Sequence, residues 1–69
     1  MLHVPIPKYR VVVGGSGMVY EGESLSEARR QFTRFVLQSK TAGSKSAGET
    51  VTLFKNYDII REYRPPSRE

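Results

Sequence analysis

The chain has 69 residues, a net charge of +4 from 11 Lys and Arg against 7 Asp and Glu, and no cysteine. That length allows one small domain near the lower limit of stability, because so short a chain buries only about 60% of its unfolded surface. Disulfides and thiolate metal sites are excluded, and His3 has no clustered ligands beside it, so no metal or other cofactor is expected. The basic excess favours an anionic partner.

The first eight residues predict an arm rather than a regular element. Pro5 and Pro7 lack amide hydrogens and push their predecessors toward extended conformations. The segment has no charged stretch followed by a long apolar one, so it does not resemble a signal peptide. No apolar run reaches the roughly 20 residues that cross a bilayer. We therefore expect no membrane contact and a cytoplasmic location.

Residues 9–22 predict a hairpin. Residues 9–13 (YRVVV) and 18–21 (MVYE) have strand-like composition, and residues 14–17 (GGSG) separate them. The alternative for the glycines is a phosphate-binding loop, but such a loop precedes a helix and usually carries a lysine. This one precedes a strand and has none, which favours the hairpin.

Residues 24–40 predict one amphipathic helix. Ser24 and Glu27 fit the capping box, in which the hydroxyl and the carboxylate satisfy backbone amides at the helix start. Five apolar residues fall on one face at 3.6 residues per turn: Leu25, Ala28, Phe32, Phe35 and Val36. Arg30 and Arg34 point away from that face beside Leu37, whereas Arg29 and Lys40 lie at its edge.

The rest of the chain predicts a loop and a second hairpin. Residues 41–48 (TAGSKSAG) are small and polar, residues 50–54 and 59–63 are rich in strand formers, and Pro65 begins a tail. Asn56 suits the turn, although Tyr57 stands where a glycine is expected. The fold class is thus α+β: a small antiparallel sheet in β-β-α-β-β order, spanning residues 9–64, with one amphipathic helix packed on one face.

The strand pattern predicts a sheet with two apolar faces. In the first hairpin one face holds Tyr9, Val11 and Val13, opposite Arg10 and Val12, and Met18 and Tyr20 lie opposite Val19 and Glu21. A two-residue turn at 56–57 pairs Phe54 with Ile59 and Leu53 with Ile60. Ile60 then shares a face with Val51 and Leu53, and the other face holds Phe54, Ile59, Tyr63 and the stem of Arg61.

One helix covers one face, so we expect a homodimer, joined through sheet faces or edge strands, to cover the other. The alternative is that the aromatic face stacks bases.

The helix and the following loop carry charge of one sign. No acid occurs between Glu27 and Glu49, and the basic residues there are Arg29, Arg30, Arg34, Lys40 and Lys45. Arg30 and Arg34 stand four apart, where like charges cost about 0.2–0.5 kcal/mol in an isolated helix. A polyanion would offset that cost. The alternative is an ordinary solvated helix face.

Aromatic residues supply the material for a single-strand platform, with Tyr63 and Arg61 as the leading stacking candidates beside Tyr9, Tyr20 and Phe54. The alternative for these rings is core or dimer packing. No RNP signature and no helix-turn-helix pair occurs, so sequence-specific duplex reading is not expected.

Three glutamates, Glu21, Glu23 and Glu27, are close in sequence, but no histidine accompanies them. We therefore do not expect an enzyme.

Four short segments carry a resemblance: Tyr20-Glu21-Gly22, Glu27-Ala28, Ser39-Lys40 and residues 47–54 (AGETVTLF). Over about residues 9–64 the chain resembles small nonstructural proteins of single-stranded DNA phages of the microvirus group. The resemblance implies a viral origin, a place in the host cytoplasm, and a role in genome replication or packaging. It supplies no catalytic residues.

These observations together predict a non-enzymatic nucleic-acid-binding protein that prefers single-stranded DNA and has little sequence preference. The predicted contact residues are Arg29, Arg30, Arg34, Lys40, Lys45, Arg61 and Tyr63. The alternative is a module that docks on an acidic protein surface and inhibits or adapts a host protein, and a scaffolding role is a third reading.

Overall fold

A computed structural model of the chain describes residues 6–41, 43 and 48–65. The elements are β1 (Tyr9–Val13), β2 (Gly17–Gly22), α1 (Leu25–Lys40), β3 (Val51–Lys55) and β4 (Asp58–Tyr63). The predicted order and the α+β class are confirmed. Most of the predicted arm and tail, with His3, and Lys45 in the loop after α1 lie outside the described residues.

The four strands form one antiparallel sheet in the order β2-β1-β3-β4. The central strands β1 and β3 pair along their whole length, from Tyr9 opposite Lys55 to Val13 opposite Val51. The two hairpins therefore lie side by side and are joined through β1 and β3. The helix α1 connects them along the chain. This arrangement leaves β2 and β4 as the edges.

The core lies between α1 and the two central strands. Val11, Val13, Val51 and Leu53 are fully buried there because every second residue of a strand points to the same side. The predicted helix face is confirmed: Ala28 is fully buried, and Leu25, Phe32, Phe35 and Val36 pack against the same cluster.

Both ends of α1 are closed by side chains. The Ser24 hydroxyl accepts a hydrogen bond from the Glu27 amide at 3.1 Å, as predicted. The Glu27 carboxylate accepts one from the Gln31 side chain and does not bond to the backbone of Ser24. At the other end, the buried Ser39 hydroxyl donates to the Glu49 carbonyl at 2.6 Å. This bond, which the sequence did not reveal, fixes the end of the helix to the residues that lead into β3.

A β-bulge in the second hairpin changes which residues face the helix. Phe54 pairs with Ile59 as predicted, but Leu53 pairs with Arg61 and not with Ile60. Ile60 is the extra residue, so Arg61 and Tyr63 lie on the helix side with Leu53 and Val51. The prediction that placed them on the opposite face is wrong, because one inserted residue reverses the alternation of everything after it.

The first hairpin contains a second bulge. Val11 pairs with Tyr20 while Val12 pairs with Met18, so Val19 is the extra residue. Tyr20 consequently lies on the helix side, where it packs against the core, and Met18 lies on the other side with 54% of its surface exposed. The prediction that Met18 and Tyr20 share a face is wrong for the same reason as in the second hairpin.

The face of the sheet away from α1, called here the open face, is apolar at its centre. Val12 and Phe54 are half-buried there, and Met18 and Ile59 are 54% and 57% exposed. No described element covers this face. The predicted second apolar surface is therefore present, with Phe54 and Ile59 on it.

Candidate nucleic-acid interface

The four basic residues of α1 occupy two exposed strips of the helix. At about 100° per residue, Arg30 and Arg34 fall on the crest, opposite the face that packs on the core. Arg29 and Lys40 fall on one flank of the helix, beside Val36. The exposure and outward placement predicted from the sequence are thus confirmed.

These cations are only slightly neutralised by the protein itself. Arg30 Nη1 lies 3.6 Å from Glu27 Oε1 with the arginine side chain 80% exposed, and an exposed pair this long contributes little. Within the described part of the chain, neither Arg29 nor Arg34 forms an ion pair. The helix surface therefore keeps most of its positive charge available for a partner.

One contact shows which strand the basic flank faces. Lys40 Nζ lies 5.5 Å from the centroid of the Tyr63 ring, a cation–π distance, so the flank that carries Lys40 borders β4. The bulge in β4 turns Arg61 and Tyr63 to this side of the sheet. We call the surface formed by Arg29, Lys40, Arg61 and Tyr63 the helix–β4 surface.

The helix–β4 surface is long enough to meet several phosphates. From Arg29 to Lys40 the helix rises about 16 Å at about 1.5 Å per residue. The strand β4 extends over a similar length at about 3.4 Å per residue. The body of α1 packs over β1, β3 and β2, so β4 remains at the margin, where most of its residues are exposed.

The two sides of the sheet differ in charge. Glu21 and Glu62 face away from α1. On that side the Glu21 carboxylate accepts a hydrogen bond from Arg10 Nε at 2.8 Å, and the Glu62 carboxylate lies 3.2 Å from Arg64 Nε. The open face is therefore close to charge balance. Two acids lie on the helix side, Asp58 opposite Lys55 and Glu27 near Arg30. The cations on this side outnumber them, so an anion approaching the molecule is attracted there.

The predicted aromatic platform is divided between different parts of the fold. Tyr9 is 7% exposed and belongs to the core, and Tyr20 packs against it. Phe54 lies on the open face, opposite to Tyr63. Of the rings considered from the sequence, only Tyr63 lies beside the basic residues. Lys45, the remaining predicted contact, lies outside the described residues.

Two residues at the end of the helix–β4 surface were not predicted. Tyr57, in the β3–β4 turn, is 91% exposed, and Lys55 precedes it on the helix side of β3. The sequence signal that could have identified Tyr57 as a candidate contact is a large aromatic residue at a turn position that favours glycine.

The glycine loop of the first hairpin is occupied by a carboxylate. A Cβ atom built on Gly15 would lie 2.9 Å from Glu49 Oε2, and one on Gly14 would lie 3.1 Å from Glu49 Oε1. The negative side chain against these glycines opposes phosphate binding. The loop joins β1 to β2, so the hairpin interpretation is confirmed.

Within residues 6–41, 43 and 48–65, no cluster of His, Cys, Asp or Glu is arranged to hold a metal ion. The helix in this part of the chain is too short and too polar to cross a membrane.

Comparisons with protein-family models, with curated proteins and with solved structures found no match.

Proposed function

We propose that this protein is a small non-enzymatic nucleic-acid-binding protein that prefers single-stranded DNA and reads little sequence. The observation that carries the proposal is the basic surface of α1, where Arg29 and Arg34 have no described carboxylate partner and Arg30 has only a distant one. Such a surface gains affinity from a polyanion because binding releases condensed counterions.

The character of the contacts supports a single strand over a duplex. Guanidinium and ammonium groups that meet phosphates fix the position of a strand but carry no sequence information. A tyrosine beside them can stack on an unpaired base of any kind. Arg29, Arg30, Arg34 and Lys40 would meet phosphates, together with Lys45, and Tyr63 and Arg61 would stack on bases. The accessory role in phage replication or packaging, in the host cytoplasm, rests on the sequence resemblance.

The proposal is tested by measuring binding to labelled single-stranded DNA, duplex DNA and RNA at two salt concentrations. We expect the single strand to bind most tightly. The logarithm of its association constant should fall with the logarithm of salt concentration by about 0.7 per phosphate contacted. Binding that does not change with salt would contradict a phosphate interface.

The second candidate function is docking on an acidic protein surface, which the same unpaired arginines favour. Capture from a host lysate with and without nuclease distinguishes the two. Partners that remain after nuclease treatment would support protein docking, and partners that disappear would support nucleic acid. A scaffolding role would appear as assembly that grows with concentration.

We also propose that the protein is a homodimer in which the open faces of two copies pack together. This face exposes apolar side chains around Val12 and Phe54, and its charges are already paired. A neutral, apolar surface suits a second copy of itself better than a polyanion. Each edge strand carries a bulge, a device that discourages edge pairing, so face packing is favoured over joined edges.

A further inference from the structure

The turn between β3 and β4 presents the most exposed aromatic ring of the described chain. Tyr57 is 91% exposed, whereas Tyr9 is buried and Tyr20 and Tyr63 pack against the core. The Lys40 ammonium also lies over the Tyr63 ring. Tyr57 is thus the described tyrosine whose ring is most open to a planar ligand.

The turn that carries Tyr57 is held firmly to the first strand. The Asn56 amide donates to the Lys8 carbonyl at 2.7 Å, and the Lys8 amide donates to Asn56 Oδ1 at 3.1 Å. Arg10 Nη1 donates to the Asn56 carbonyl at 3.2 Å. Asn56 takes a positive φ of 56°, which asparagine tolerates better than most residues. Because Asn56 is bonded through its amide, its carbonyl and its side chain, the neighbouring ring is carried on an ordered support, and less entropy is lost when a ligand meets it.

The position of the turn connects Tyr57 with the helix–β4 surface. β4 begins at Asp58, beside the turn, and ends at Tyr63, where Lys40 lies. The strand covers about 17 Å between these ends at about 3.4 Å per residue. A nucleic-acid backbone that follows the cations from Lys40 past Arg61 therefore arrives at the turn, where Lys55 stands opposite Asp58 on the same side of the sheet.

We propose that Tyr57 stacks on an unpaired base of a single strand whose backbone lies along the helix–β4 surface. This inference rests on the proposed function and adds to it the feature that selects single strands. A base in a duplex is already stacked on its neighbours, so its face is not available to a protruding ring. Base–aromatic stacking tolerates every base, which agrees with low sequence preference.

The chain contains no tryptophan, and this makes a direct test simple. Tyr57→Trp introduces a single indole at the turn, and Met18→Trp introduces one at a 54% exposed position on the open face. On titration with an oligothymidine single strand, we expect strong quenching of the indole at position 57 and little change at position 18. A blunt duplex of the same length should quench neither indole strongly.

Binding measurements on two further variants complete the test. Tyr57→Ala should weaken single-strand binding by about 5- to 150-fold and leave duplex binding unchanged. Tyr57→Phe should bind as tightly as the unaltered protein. Circular dichroism should show the same fold for each variant, since the ring of Tyr57 is almost wholly exposed.

Two results would overturn the inference and leave the proposed function intact. In one, the Tyr57→Trp protein binds single strands without a change in emission. In the other, Tyr57→Ala binds them as tightly as the unaltered protein does. If the unaltered protein binds no nucleic acid at any salt concentration, the proposed function fails, and this inference fails with it.

Discussion

Arg30 and Arg64 differ more in their surroundings than in their exposure. Arg30 and Arg64 are 80% and 77% exposed, and each lies near one glutamate, at 3.6 Å and 3.2 Å. Arg30, however, stands on the crest of α1 near Arg34, whereas Arg64 follows β4 and pairs with Glu62, which belongs to the open face. Their equal exposure and different neighbours make them a matched pair for testing where a polyanion binds.

We expect Arg30→Glu to weaken single-strand binding much more than Arg64→Glu does. Both changes lower the net charge by two, so their long-range effects on an anion are equal. Only the change at Arg30 places a carboxylate among the unpaired cations, where it should repel a phosphate and lower affinity by about tenfold or more. Fluorescence anisotropy with a labelled single strand at low salt measures both. Equal losses would mean that net charge alone governs binding and that the crest of α1 does not contact the strand.

At the scale of the element, α1 depends on its cap as well as on its apolar face. The Ser24 hydroxyl satisfies an amide that has no partner within the helix, whereas the nearby Ser26 is an exposed residue of the first turn. Helix caps contribute more than interior serines do because the first amides of a helix otherwise rely on water.

Ser24→Ala should therefore lower the free energy of unfolding by about 1 kcal/mol. Ser26→Ala should leave it unchanged or raise it by up to about 0.5 kcal/mol, because alanine favours helix interiors. Thermal or urea unfolding followed by circular dichroism compares the two. A Ser24→Ala protein as stable as the unaltered one would show that the cap is replaced by solvent at no cost.

The elements themselves could be predicted from the sequence, whereas their exact pairing could not. Alternation, the capping pattern and the glycine loop determine four strands and a helix with bounds within about one residue, and the core face of α1 follows from its periodicity. The bulges leave no comparable signal, because Val19 and Ile60 are ordinary strand formers that pairing alone makes into extra residues. This is why the basic helix was predictable, and the placement of Arg61 and Tyr63 beside it was not.

At the scale of the whole molecule, the sheet separates two surfaces with different chemistry. One side carries the helix and its cations, and the other carries an apolar centre with paired charges at its margins. If two copies pack through their open faces, both basic helices remain on the outside. The dimer then offers two nucleic-acid surfaces, and a strand long enough to reach both binds more tightly than either surface alone allows.

Two substitutions should separate these surfaces. Ile59 on the open face and Leu37 on the crest of α1 are 57% and 58% exposed, so a glutamate at either position causes little strain in the monomer. Ile59→Glu buries a charge in the proposed dimer contact and should shift the protein to a monomer in sedimentation equilibrium at micromolar concentration. It should leave affinity for a short single strand unchanged and lower affinity for a long one.

Leu37→Glu should remain dimeric and lose affinity for both lengths, because its carboxylate stands near Arg30 and Arg34. If Ile59→Glu sediments like the unaltered protein, or if the unaltered protein is itself monomeric, the open face is not a dimer contact, and the binding role of α1 is unaffected.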